Sequence, residues 1–287
     1  MMEKFFLPMA RLLRLRLSLG VGLSATAGYL LHGGMNRGTS SLLVGLAVAV
    51  LAGGCSALNQ VQERRIDARM HRTCRRPLAS GQWPVAWGLG TALVLLGAGM
   101  LLLSPLGIMP LALAGGAVLW YNGLYTWLKR RSAFAVLPGA LCGALPPLIG
   151  WCAAGGAWSD HRAISLALVF FLWQMPHFWL LLSGWREDYR RAGLPHLFDR
   201  FSSRQSGRVI ALWILALASS LLLLPALGLL RSGAAATPYL AAVTGLALLA
   251  LLIPTSLRKT TGTALFAGLN LAMLTATLAL MLDQLLF

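Results

Sequence analysis

Leu42-Leu-Val-Gly-Leu-Ala-Val-Ala-Val-Leu51-Ala-Gly-Gly-Cys-Ser-Ala-Leu58 runs straight into Asn59-Gln-Val-Gln-Glu63-Arg-Arg-Ile-Asp67, and then into Arg69-Met-His-Arg72-Thr-Cys-Arg-Arg76-Pro-Leu-Ala-Ser-Gly81. The first stretch is lipid-soluble and the other two are dense in ionisable groups. A membrane protein places so many charges together only at a water interface or a working site. Asn59, Glu63 and Asp67 are spaced four apart. On a helix each step of four drifts only ~40°, so the three side chains line one face at ~6 Å intervals. They form a ladder of oxygen ligands followed by a cluster of cations.

The rest of the chain repeats the contrast. Its 287 residues are 57% hydrophobic and 11% charged, with a mean hydropathy of +0.72. An ordinary soluble domain carries ~25% charged residues, so the composition indicates an all-α, polytopic transmembrane bundle. Apolar runs at 17–35, 40–58, 84–104, 106–127, 134–154, 163–183, 208–230, 236–256 and 262–286 give about nine spans. Ser104-Pro105 alone divides the third from the fourth, and a helix-breaking proline supports the division. We read one domain over 1–287.

Charge fixes the expected orientation. With the N-terminus cytoplasmic, the inner segments 1–16, 59–83, 128–133, 184–208 and 257–261 hold 21 of the 24 Lys and Arg residues. Only Arg37, Arg162 and Arg231 fall outside, as the positive-inside rule expects. The net charge of +16 then reflects topology, and no nucleic-acid partner is expected. Residues 1–16 are basic and amphipathic, which suits an interfacial helix. The apolar run after them reaches Leu31, too long for the h-region of a cleaved signal. Cys55, Cys74, Cys142 and Cys152 show no paired spacing, and no disulfide is expected.

Four constellations carry candidate chemistry. Mg²⁺ typically takes one or two carboxylates together with substrate phosphates, and Asn59, Glu63 and Asp67 suit it. Arg72, Arg75 and Arg76 suit a diphosphate, which arginine binds bidentately. A solvated cytoplasmic loop with internal ion pairs reads equally well from spacing alone. Tyr125 and Lys129 share a helix face; an aromatic-belt residue with a basic anchor is the plainer reading. Glu187 and Asp188 form a second acid pair beside arginines, able to hold a second metal or to sit in a surface loop. Trp173-Gln-Met-Pro-His177-Phe-Trp179 puts a proline, which should kink the span, beside a histidine at membrane depth. That histidine could be a haem ligand, a proton carrier or a buried hydrogen-bond partner. A transporter would instead need polar groups at midplane, where only His177 and Asn270 are candidates.

Taken together, these stretches resemble the UbiA-type intramembrane prenyltransferases. The ladder with Arg72-Thr73-x-x-Arg76-Pro77-Leu78-x-x-Gly81, and Tyr125-x-x-x-Lys129, are similar to that superfamily's motifs. Gly143-Ala-Leu-Pro-Pro-Leu-Ile-Gly-Trp151, Phe171-Leu-Trp-Gln-Met-Pro-His-Phe-Trp179 and Asp188-Tyr189-x-x-Ala-Gly-x-Pro195 resemble its heme O synthase branch. The chain departs from the family at Glu63, where aspartate is usual, at Ala135 in place of asparagine, and at His196-Leu-Phe198 in place of Met-Leu-Pro.

The resemblance implies the UbiA-type fold in a bacterial-type cytoplasmic membrane, its active site facing the cytoplasm. It implies Mg²⁺ on Asn59, Glu63, Asp67 and Asp188. The diphosphate of farnesyl diphosphate would lie on Arg72, Arg76, Tyr125, Lys129 and Arg130. Haem b would be the acceptor, near Trp173 and His177. The alternative it leaves is a relative that prenylates an aromatic or lipid acceptor. It is silent on oligomeric state.

Overall fold

The computed structural model describes residues 2–33, 39–251, 253 and 259–286. Arg37 and part of the expected inner segment 257–261 lie outside them. The described elements are helical: α1 (Met2–Leu12), α2 (Leu15–His32), α3 (Thr39–Asp67), α4 (Val85–Leu103), α5 (Ile108–Val118), α6 (Thr126–Leu128), α7 (Val136–Ala153), α8 (His161–Ser183), α9 (Arg186–Ala192), α10 (Ser203–Ala226), α11 (Gly233–Leu251) and α12 (Lys259–Leu286). A π-helical stretch, Leu119–Tyr125, joins α5 to α6, and short 3-10 turns occupy Ser104–Leu106 and Leu197–Asp199.

Seven of these helices, α3, α4, α7, α8, α10, α11 and α12, are long and apolar enough to cross a membrane. The two remaining expected spans are also helical. The first, α2, carries Arg16, Ser18, Ser24 and Thr26 among its apolar residues. The other, 108–128, is assembled from α5, the π segment and α6. The break before it falls where Ser104-Pro105 placed it, and Gly107 takes the left-handed φ of 114° that the turn needs. In contrast, α8 stays helical on both sides of Pro176; neighbouring helices and local adjustment tolerate proline within a bundle.

Apolar residues cover the outside of this protein as well as fill its interior. Large apolar side chains such as Leu42, Leu101, Ile108, Leu119, Leu212 and Leu251 face outward, while Asn59, Gln60, Glu63, Asp67 and Asp188 are buried. Lipid solvates the first group, so the second must find partners inside. α3 packs on α2 and α4, α7 on α2 and α8, α10 on α8 and α11, and α12 on α11, α8 and α2, which closes the bundle. Small residues set the closest approaches. A Cβ on Gly150 would strike the Ala25 carbonyl, and one on Gly28 would strike that of Pro147, so α2 and α7 pack backbone to backbone.

Candidate active site

α3 does not stop where its apolar run ends. It continues through Asp67, carrying the ladder on its final turns with all three rungs buried: Asn59 at 0%, Glu63 at 5% and Asp67 at 1% exposure. A buried carboxylate is tolerated only when paired, and each has a cation. Lys129 Nζ lies 2.6 Å from Glu63 Oε2, with Arg130 Nε 3.8 Å from Oε1. Arg76 donates to Asp67 Oδ2 at 2.6 Å.

The π-helical stretch brings the second element into place. Asn122 donates from Nδ2 to the Cys55 carbonyl at 3.0 Å, and Gln62 donates to the Asn122 carbonyl at 3.0 Å. Thr126 accepts from Asn59 Nδ2 at 3.1 Å and donates to the Tyr121 carbonyl at 2.8 Å. These ties pin α6 against α3, so Lys129 reaches Glu63 and sits 5.4 Å over the Tyr125 ring. Gly139 of α7 leaves room for that ring. Arg130 lies over Trp127 and donates to the Gln62 carbonyl at 2.9 Å.

Residues 69–81 bridge to the third element. Asp188, 4% exposed, accepts the Arg72 backbone N–H at 3.0 Å. The Arg72 guanidinium lies 5.4 Å from the Tyr189 ring centre. Glu187 points away: it is exposed and pairs with Arg191, its i+4 neighbour. The second acid pair therefore contributes one carboxylate to the site. Arg75 is exposed. Burial pushes the His196 imidazole below its ordinary value, with Asp199 pulling the other way.

Arg14 also belongs to this site, although its sequence context marked it only as part of a basic leader. It separates α1 from α2 with φ 46° and ψ 52°, the one non-glycine residue with positive φ among the described residues. That turn points its guanidinium inward. Its Nη2 donates to Asn59 Oδ1 at 3.3 Å, while the buried Nε has no hydrogen-bond partner. Burial pushes the Arg76 guanidinium down to about 10, Arg14 adding to the effect and Asp67 opposing it. Crowded cations beside an unused buried donor suit an anionic ligand.

The remaining expected residues lie on α8. The Trp173 and His177 rings lie 4.7 Å apart, centre to centre, tilted by 52°. Gln174 fills the space above Gly143 on α7, four residues beyond the Gly139 that receives Tyr125. α8 and the Tyr125 ring thus both pack against α7. Among the described residues, no three Asp, Glu, His or Cys side chains converge to hold one metal ion. A cation here would have to share its oxygen ligands with a bound phosphate, which is how Mg²⁺ is commonly held.

Comparison with known proteins agrees with this architecture. The chain is 47% identical over 234 residues to the protoheme IX farnesyltransferase of Geobacter sulfurreducens, covering 81% of this chain and 85% of that one. It is 37% identical over 276 residues to the one from Oleidesulfovibrio alaskensis, covering 96% and 95%. The fold matches a digeranylgeranylglyceryl phosphate synthase at a TM-score of 0.77 and 17% identity, over 98% of this chain and 99% of that one. It also matches a UbiA homologue from Archaeoglobus fulgidus, bound to GPP and Mg²⁺, at 0.66 and 13%, over 95% and 99%. Residues 21–274 fit the UbiA prenyltransferase family. The chain belongs to the UbiA prenyltransferase family, and within it to the protoheme IX farnesyltransferases.

Proposed function

We propose that this protein transfers the farnesyl group of farnesyl diphosphate to a vinyl group of haem b, giving haem O. The observation that carries the reading is the gathering of Asn59, Glu63, Asp67 and Asp188 with Arg14, Arg72, Arg76, Lys129 and Arg130 at one end of an apolar bundle. Three carboxylates against five cations leave an excess of positive charge for a diphosphate. Glu63 Oε1 and Asn122 Oδ1 are buried without hydrogen-bond partners. Oxygen-only donors of this kind fit a hard cation.

Asn59, Glu63, Asp67 and Asp188 would hold Mg²⁺, which when bound neutralises diphosphate charge. Lys129 and Arg76 are held by Glu63 and Asp67, and rotate from carboxylate to phosphate oxygens as the substrate enters. Arg14 and Arg130 would face the same anion, with the exposed Arg72 guanidinium at its edge beside Tyr189. Together they stabilise the negative charge that builds as the allylic C–O bond breaks. The farnesyl cation left behind sits among apolar helices that keep water from it. The vinyl carbon then bonds to it, and water captures the resulting cation with loss of a proton. Diphosphate and haem O are the products.

The arginine distribution supports nine crossings in one domain over 1–287. It supports α1 in the interface and a cytoplasmic site in a bacterial inner membrane. The test is mass spectrometry of haem incubated with purified protein, farnesyl diphosphate and Mg²⁺. Haem gaining the mass of a hydroxyethylfarnesyl group is the expected result. Unmodified haem, with the farnesyl group found instead on a quinone precursor or lipid added alongside it, would overturn the acceptor.

A further inference from the structure

We infer that Asn270, on α12, is a positioning residue that sets His177 as a ligand for the acceptor's iron. The inference rests on the haem reading above. Asn270 Oδ1 lies 2.8 Å from His177 Nδ1. Its orientation is fixed by its other end, because Nδ2 donates to the Phe266 carbonyl at 2.6 Å. The atom facing the imidazole is therefore an oxygen, which can only accept. Nδ1 carries the proton, and Nε2 keeps its lone pair.

That is the form in which histidine binds a metal, and metal-ligating histidines ordinarily donate their other N–H to an oxygen. The surroundings suit a flat conjugated macrocycle. Ring centres of Trp173, Phe266 and Phe178 lie 4.7, 4.9 and 6.0 Å from that of His177. Trp173 Nε1 is buried without a hydrogen-bond partner, leaving a donor for a polar group of the ligand. His177 itself is only half-buried. It lies six residues before the end of α8 at Ser183, about 9 Å along the axis, and α9 with Asp188 begins just beyond that end. A macrocycle anchored there lies at the depth where an allylic chain would leave the diphosphate site.

The test is a titration of ferric haem b into the purified full-length protein in detergent, followed by absorbance and electron paramagnetic resonance. The wild type should show a nitrogen-ligated spectrum, and His177→Ala should lose it. Asn270→Leu should weaken haem binding by about 10- to 100-fold, the usual effect of losing such a partner, with farnesyl diphosphate affinity unchanged. Asn270→Asp keeps an acceptor, so it should hold haem near wild-type affinity and lower the reduction potential by making the imidazole more basic. An Asn270→Leu protein with the wild-type spectrum and affinity would overturn the inference. Should that variant not accumulate, an unchanged potential in Asn270→Asp overturns it. Product analysis separates the two readings. Haem ligation that tracks Asn270 without haem O formation rejects the reaction and keeps the ligand; haem O formation with a silent Asn270→Leu does the reverse.

Discussion

Two regions bury carboxylates in this protein, and they do so differently. At the far end of α12, Asp283 is 0% exposed and accepts backbone N–H groups from Arg231 and Ser232 at 2.7 and 2.8 Å. Its partners are main-chain groups just before α11 and cannot leave without moving that backbone. At the ladder, Glu63 and Asp67 are equally buried, but their partners are the tips of Lys129 and Arg76. Those tips can swing to another anion once a bound cation takes their place on the carboxylates. A buried acid held by main chain fastens the fold; one held by long side chains is free to exchange. The difference separates Asp283 from Glu63 and Asp67 where burial alone does not, while Asp188, held by the Arg72 backbone N–H, lies between the two.

That distinction can be broken by experiment. Asp67→Asn should reduce prenyl transfer by roughly two to three orders of magnitude, the scale of losing a preorganised charge contact in a reacting site. Its thermal unfolding should stay close to wild type; a large drop in melting temperature would make the ladder structural as well. Arg14→Ala should raise the dissociation constant for farnesyl diphosphate by about 10- to 100-fold, since a charge-assisted hydrogen bond is worth about 1.5–3 kcal/mol. Calorimetry showing no change would remove Arg14 from the site. Asp283→Ala should lower stability by about 1–3 kcal/mol through the two orphaned N–H groups, with turnover per folded molecule unchanged. Reduced turnover at full stability would collapse the contrast. The smallest effect belongs to Glu63→Asp. The shorter arm draws back from Lys129, and we expect less than about tenfold loss of activity, read as a KM change with steady kcat.

Much of the ladder was legible from the chain. A spacing of four can bring Asn59, Glu63 and Asp67 to one face whatever surrounds them, and α3 does so. Arg14 was not legible, because its role comes from a left-handed turn and a partner 45 residues away. A basic leader gives no sign of that. Asp283 was invisible for a similar reason, since backbone N–H groups leave no mark in composition. Asn270 stood out only as a polar residue in an apolar run, its partner lying 93 residues distant on α8. Glu187 and Asp188 are adjacent in sequence, yet helix geometry sets neighbours about 100° apart. Only one of them could face inward.

The π-helical stretch at Leu119–Tyr125 constrains how this chain can change over time. Such a stretch amounts to one residue too many for a regular turn, absorbed in place. Wound as an ordinary helix, the same residues would carry everything after them about 100° further around the axis and about 1.5 Å further along it. Lys129 would lose Glu63, and Thr126 would lose Asn59. Outside Asn122 and Tyr125, substitutions here are open only as far as they keep the π winding.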